Sequence, residues 1–280
     1  MKTAPVNKII SFSNVDGPGN RTSIFFQGCT FNCHFCHNPE TIQLCKQCGV
    51  CVSKCPSHAL TVREDGKIAW DKDICVQCDT CIHVCPHCAS PKVKWMTVDE
   101  VLHEVRRSAP YISGITTSGG ECTMQNGFLI DLFHAVKQMG KTCLIDSNGS
   151  FDFEKDPRVL EDALGVMLDV KAAEPKWHQA LTGCDISPVV KNLHYLLKAG
   201  KLFEVRTVIF PDDEEHNEET VRFVSKVIQG ACPYKIIRYR PWGVRTQYQN
   251  ELGLNTTSEA TAERFASLAR DLGASKAIVI

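Results

Sequence analysis

The cysteine pattern restricts this chain more than any other feature. Of 16 cysteines in 280 residues, twelve lie between Cys29 and Cys88, nearly all in three runs. Cys29, Cys33 and Cys36 are spaced C-x3-C-x2-C. Cys45, Cys48, Cys51, Cys55-Pro56 and Cys75, Cys78, Cys81, Cys85-Pro86 repeat C-x2-C-x2-C-x3-C-P. The N-terminus MKTAPVNKII carries no apolar signal core and no stretch is apolar enough to span a bilayer, so a soluble, cytoplasmic protein with reduced thiols is expected. Metal ligation then suits the cysteines better than disulfides. The repeated run has the two-cluster ferredoxin spacing, in which three cysteines hold one cubane and the fourth crosses to the other. One quartet would be Cys45, Cys48, Cys51 and Cys85; the second would be Cys75, Cys78, Cys81 and Cys55. Structural zinc, the alternative, prefers pairs of knuckles separated by a longer loop. Cys88 fits neither quartet and is read as a non-ligand. Cys122, Cys143, Cys184 and Cys232 stand alone and are read as buried apolar thiols.

Two closed quartets leave the first run with three ligands for a four-iron cluster. An unfilled protein position is the general signature of a catalytic metal centre, because substrate can occupy it. The alternative is recruitment of Cys122 or another distant thiol. Elsewhere the chain is 43% hydrophobic and formally balanced, with 31 basic and 32 acidic residues, so neither a nucleic-acid groove nor a polybasic membrane surface is expected.

Short apolar runs predict strands near 22–26, 114–117, 142–145, 166–169, 203–209 and 235–239. Helix-period segments lie at 98–107, 127–139, 189–199 and 218–228. Alternating strands and helices imply a parallel sheet, and six units are too few to close an eight-stranded barrel. The expected fold class is α/β, an open partial barrel. The expected domains are 1–41 for the start of the barrel, 42–96 for a ferredoxin-like insert and 97–280 for the rest. Polar motifs fall at the strand ends: Gln27-Gly28-Cys29, Ser118-Gly119-Gly120-Glu121, Asp146-Ser147-Asn148-Gly149, Asp169-Val170-Lys171 and Arg240. In parallel barrels that end is where active sites assemble.

The run Cys29–Cys36, with Phe35 before its last cysteine, resembles the motif of the radical S-adenosylmethionine (SAM) superfamily. Its flanks, Val15-Asp16-Gly17-Pro18-Gly19, Arg21, Phe25-Phe26-Gln27-Gly28 and His37-Asn38, resemble the activating enzymes of glycyl radical enzymes. With two ferredoxin clusters inserted after the motif, the string looks closest to the YjjW-type activases. The resemblance implies a partial (β/α)6 radical SAM barrel, three [4Fe-4S] clusters, and SAM bound through its amino and carboxylate groups to the open iron. It makes Cys29, Cys33 and Cys36 the catalytic ligands. By the same resemblance Gly119, Gly120 and Glu121 receive the amino group, and Asp169 and Lys171 lie beside the sulfonium and carboxylate. Arg206 lies near the carboxylate, and the backbone of Phe35 to His37 meets the adenine. Asp146, Ser147, the Met167 carbonyl and Asp169 match a monovalent-cation site of some members. Arg240 stands where relatives often carry histidine; it has no acceptor and cannot serve as a base, and its role is left open.

The implied reaction is reductive cleavage of SAM to a 5'-deoxyadenosyl radical, which takes hydrogen from a glycine of a partner enzyme. The family expectation is a YjjI-type partner, contacted through Asp16, with flavodoxin or ferredoxin as electron donor. The insert is read as an electron relay, with a docking or structural role as the alternative. Two other functions stay open: a radical SAM peptide-modifying enzyme, and an electron-transfer module on an inactive barrel.

Overall fold

A computed structural model describes residues 2–280. Its main sheet is built from nine strands, most of them parallel and largely buried on both faces. In chain order the strands are β1 (Thr3–Ser13), β2 (Arg21–Phe26), β3 (Leu60–Val62), β4 (Ile68–Trp70), β5 (Lys94–Thr97), β6 (Gly114–Gly119), β7 (Thr142–Ser147), β8 (Gly165–Asp169), β9 (Leu202–Ile209), β10 (Tyr234–Arg238) and β11 (Ala277–Val279). The helices are α1 (Thr80–His83), α2 (Val98–Ser108), α3 (Asn126–Gln138), α4 (Pro175–Thr182), α5 (Ser187–Lys198), α6 (Glu214–Ile228), α7 (Thr246–Leu252) and α8 (Glu259–Asp271).

The sheet order is β11-β10-β9-β8-β7-β6-β2-β1-β5. From β2 through β11 neighbouring strands are parallel, whereas β1 runs antiparallel to both β2 and β5. The six expected parallel strands are present, as is the open α/β sheet. Every residue of β2 is buried, as a strand covered on both faces requires. Three strands of the main sheet escaped the sequence reading, as did the β3–β4 hairpin. β1 buries Ala4 to Val6 and is then partly or fully exposed to its end, β5 is four residues long, and β11 follows the last recognised unit. The main sheet takes the chain back at Lys94, inside the range 42–96 expected for the insert.

Parallel direction is what assembles the site. Because β2 and β6 to β10 point the same way, the loops after Phe26, Gly119, Ser147, Asp169 and Arg238 open at one end of the sheet. The core behind them is a continuous cluster that includes Ile24, Phe26, Ile115, Leu129, Phe133, Ile145, Val166, Leu168 and Val205.

The insert is different in kind. It contains only the β3–β4 hairpin, the single-turn α1 and a small cluster of Cys51, Leu60 and Cys81. The return to the barrel is better secured. Thr97 and Glu100 form a reciprocal cap at the start of α2: the Thr97 amide donates to the Glu100 carboxylate at 2.7 Å, and the Glu100 amide donates to Thr97 Oγ1 at 3.3 Å.

Candidate active site

The loop after β2 is held in place by its backbone. Gly28 and Cys29 amides donate to the Thr41 and Ile42 carbonyls at 2.8 and 2.9 Å, and Asn32 and His34 amides donate to Thr182 and Leu181 carbonyls at the end of α4. The buried side chain of Gln27 donates from Nε2 to the carbonyls of Glu40 and Gln43, both at 2.6 Å. Cys33 is buried, and Cys29 and Cys36 are partly so. All three face a cavity of about 300 Å³.

The opposite wall comes from the ends of β6 to β10. Gly119, Gly120, Asp146, Ser147, Asp169, Lys171 and Arg206 line it, while Phe35 and His37 line the side next to the cysteines. The glycines are demanded by close approach. A Cβ on Gly120 would lie 2.1 Å from the Gly28 carbonyl oxygen, and Gly119 has φ +117° with the Phe26 backbone 2.3 Å from any Cβ. Lys171 Nζ sits 2.9 Å from Asp169 Oδ2 and 5.3 Å from the centre of the Phe35 ring. Burial works against its charge, yet Asp169 and the nearby Cys33 and Cys36 thiols hold it above the ordinary lysine range.

A buried charge ladder crosses the strands. Lys235 Nζ meets Glu204 Oε2 at 2.9 Å, Arg206 Nε meets Glu204 Oε1 at 2.5 Å, and Arg206 Nη1 meets Asp146 Oδ1 at 3.1 Å. Sheet register places Arg206 opposite both Asp169 and Lys235. Burial pushes the Asp146 carboxyl up, against the pull of Arg206. Glu204 and Lys235 carried no signal in the sequence beyond their parity with Arg206 along two strands.

Several nominated residues sit elsewhere than the cavity wall. Glu121 is buried behind it, accepting from Thr123 Oγ1 at 2.5 Å, Ser147 Oγ at 3.0 Å and the Asn148 amide at 2.7 Å. It fixes the β7 loop instead of reaching inward. Of the nominated cation ligands, Asp146, Ser147 and Asp169 do line the cavity, with the Ser147 hydroxyl donating to Glu121 and Asp146 paired with Arg206; Met167, nominated for its carbonyl, has its sulfur 3.0 Å from Arg206 Nη2. Among the described residues no three His, Cys, Asp or Glu side chains gather as a single metal ion needs. Arg240 is exposed, and only its carbonyl takes part, accepting from His37 Nε2 at 3.0 Å. Because β10 ends at Arg238, that arginine lines the cavity instead, braced by its Nε bond to the Thr257 carbonyl at 2.7 Å. Asp16 is partly exposed and accepts from Ser13 and Ser23 hydroxyls, both at 2.6 Å, beside the first half of β2.

Two further residues were missed. Asn148 Nδ2 points to Cys29 Sγ at 3.6 Å and to Thr30 Oγ1 at 3.2 Å. Arg245 Nη2 donates to the carbonyls of Asn32 at 3.1 Å and Cys33 at 2.9 Å. The sequence distance from Cys33 hides such an arginine.

The donor set fits an iron–sulfur group with one open position. Soft thiol ligands suit such clusters, and burial pushes the Cys29 and Cys33 thiols up to about 12 and raises Cys36, so a bound cation is what would draw them to thiolate. A fourth thiol does not line this cavity. Cys122 turns its Sγ to the Thr117 and Asp146 carbonyls at 3.5 and 3.4 Å, and Cys184 bonds the Thr30 carbonyl at 3.3 Å. Cys143 and Cys232 are buried, as expected of isolated thiols, whereas Cys184 is only partly so. In the insert, Cys55, Cys75, Cys78 and Cys81 border one small cavity beside Lys92, so the first run's last cysteine stands with the second run. Burial, with Cys81, Cys45 and Cys85 close by, lifts Cys51 to about 11.

Known proteins share this organisation. The sequence model of the Radical SAM superfamily matches residues 76–224, more than half of the chain. A 4Fe-4S dicluster domain matches 44–89, and a 4Fe-4S single cluster domain matches 15–64, which takes in the Cys29–Cys36 loop. A Haemophilus influenzae protein provisionally named as a glycyl-radical enzyme activating enzyme is 28% identical, across 99% of this chain and 96% of that protein. The benzylsuccinate synthase activating enzyme of Thauera aromatica is 31% identical over 75% of this chain and 70% of its own length. Among solved structures, a domain of a pyruvate-formate lyase-activating enzyme from Bacteroides vulgatus superposes with a TM-score of 0.50 at 18% identity, covering 60% of this chain and 99% of that one; it speaks to fold alone. Among the described residues no helix is long and apolar enough to cross a membrane.

Proposed function

This chain belongs to the radical SAM superfamily, and from that premise we propose that it activates a glycyl radical enzyme, cleaving SAM reductively and removing hydrogen from one glycine of that partner. One observation carries the reading: three cysteines without a fourth face, across one cavity, a wall of backbone and paired charges. The wording of the motif and the insert point to the YjjW type, with a YjjI-type partner, three [4Fe-4S] clusters and a flavodoxin or ferredoxin as donor.

When bound, the cluster and SAM supply the electron and the 5'-deoxyadenosyl radical that performs the hydrogen transfer. The chain's own residues bind and orient. Cys29, Cys33 and Cys36 would hold three irons and leave the fourth toward the cavity. Asp169 and Lys171, an ion pair with one sign each, suit a ligand carrying sulfonium, ammonium and carboxylate together. Arg206, kept charged by Asp146 and Glu204 in spite of burial, adds a fixed cation for the carboxylate. The chain atoms of Phe35 to His37 form the adenine side, with the His37 ring fixed as an Nε2–H tautomer by the Arg240 carbonyl, which can only accept. Where some family members carry an alkali cation, Arg206 already neutralises Asp146 here. Asp16, partly exposed, is the residue offered to the partner's glycine loop. Hydrogen transfer between carbons needs no general base, which accords with a wall of binding groups.

The deciding experiment is electron paramagnetic resonance on the reduced, reconstituted protein mixed with SAM and individual glycyl radical enzymes. A glycine-centred doublet with one of them is the expected result. If 5'-deoxyadenosine forms but no glycyl radical enzyme gains a signal, the peptide-modifying alternative gains. If no deoxyadenosine forms with the site cluster present, both enzymatic readings fall.

A further inference from the structure

Cys88 fitted no quartet, yet it sits where the insert meets the active-site loop. It adopts φ +48°, and its carbonyl accepts from the Gln43 amide at 3.2 Å. Its sulfur lies 3.9 Å from Arg245 Nη1, while Nη2 of the same guanidinium donates to the Asn32 and Cys33 carbonyls. Arg245 opens α7, and that helix grips the loop twice more. Tyr248 stacks on His34 at 3.8 Å and 10°, with the Arg245 guanidinium 4.6 Å from the Tyr248 ring centre. Glu251 Oε2 lies 3.3 Å from His34 Nδ1. Residues 245, 248 and 251 recur every three positions and so share one face of the helix start. A planar cation with a fork of donors can satisfy carbonyls on one side and a thiol on the other, and Arg245 spans the seam in that way.

We propose that Arg245 is the positioning residue of the electron route into the active site, holding the Cys33 loop against the insert through Cys88 and placing a fixed positive charge beside the site cluster. The inference rests on the relay reading of the insert. The path runs from Cys85 along three residues to Cys88, across the guanidinium, and into the Cys33 carbonyl. A cluster held by Cys45, Cys48, Cys51 and Cys85 would be oxidised by one electron as a cluster held by Cys29, Cys33 and Cys36 is reduced, and a low-potential one-electron carrier protein would refill the insert. A neighbouring cation favours the reduced, more negative state of a cluster, since charge and hydrogen bonds set its potential.

The test compares Arg245→Gln, Arg245→Lys and Cys88→Ala as anaerobically reconstituted full chains, by redox titration and by freeze-quench electron paramagnetic resonance of the site cluster with SAM present. Iron content should match the unaltered protein in all three. Arg245→Gln should shift the reduced-to-oxidised ratio of the site cluster about tenfold toward oxidised at fixed potential, or 59 mV for one electron. Arg245→Lys, which keeps the charge, should restore most of that shift. Cys88→Ala should leave the potential in place and slow reduction of the site cluster several-fold. Unchanged potential and unchanged reduction rate in Arg245→Gln, with full iron, overturns the proposal. If Arg245→Gln does not fold, Arg245→Lys and Cys88→Ala decide: wild-type reduction rates in both overturn it. The relay reading fails separately, if a chain with Cys45, Cys48 and Cys51 replaced by Ala reduces its site cluster at the original rate. The Arg245→Gln shift in potential would persist in that background.

Discussion

At the sheet end, Cys33 is buried in the same core cluster as Phe31 and Phe35, on a loop tied by backbone hydrogen bonds to two other segments. In the insert, Cys48 and Cys78 are exposed, and the fully buried cluster is Cys51, Leu60 and Cys81. The backbone shows the same contrast. Of six non-glycine residues with positive φ among those described, Gln47, His58, Gln77, Asp79 and Cys88 fall in the insert and only Gln229 lies elsewhere. Each such residue costs about 1–2 kcal/mol, and the insert has little apolar burial to offset it. The barrel has a core of its own to fold around, and the insert is expected to depend on bound metal for its fold.

The largest expected effects test that contrast directly. Replacing Cys29, Cys33 and Cys36 together by Ala should leave the barrel's thermal melt close to the original, lower iron from about twelve to about eight per chain, and cut deoxyadenosine formation by roughly a thousandfold or more. Replacing Cys75, Cys78 and Cys81 should instead open the insert to proteolysis while the barrel amides stay protected from hydrogen exchange. Equal protection of the insert in both variants would break the comparison.

Next in size is Gly120→Ala. Its new methyl meets the Gly28 carbonyl, so the cysteine loop must move; a loss of about 1–3 kcal/mol is expected, with the site iron lost and the insert iron kept. Iron analysis with denaturant melts would show whether the damage stays local.

A third effect depends on pH. His178 is buried below the loop, edge to face with Phe31 at 5.5 Å, with Nε2 unpartnered. Burial, helped by Lys171, outweighs its bond to the Cys184 carbonyl and lowers its pKa. The unfolded chain then binds the proton more readily. The stability contributed by neutral His178 is present above about pH 6.5 and declines as pH falls toward the lowered folded value, by up to about 1.4 kcal/mol per unit. Urea melts between pH 5 and 7.5 should show this slope in the native chain and a shallower one in His178→Phe.

The smallest effect concerns the seam. Thr97→Ala removes the cap of α2 and should cost about 1 kcal/mol in the barrel melt, without changing iron content.

How much could be read from the chain differs by region for physical reasons. Cysteine number and spacing are covalent properties, so the three runs were legible as a string. The six parallel strands were legible because strands covered on both faces carry short apolar runs, such as Ile24-Phe25-Phe26 at the end of β2. β1 and β5 were not, because a half-exposed strand such as β1 and a four-residue edge strand such as β5 are defined by their pairing partners.

Side-chain destinations were decided by tertiary structure. Glu121 looked like a pocket residue and is turned to Ser147 and Asn148; Arg240 lost its place to Arg238 when β10 ended two residues earlier. Arg245 and Cys88 had no shared pattern at all, since a helix start and an insert end meet only once the sheet has brought them together. Sequence by itself determined the chemistry on offer, one run of three thiols and two repeated runs of four, because ligand type and spacing are local. Only the fold decided which charges face that position and which residue bridges the two metal regions, because those depend on distances between segments far apart in the chain.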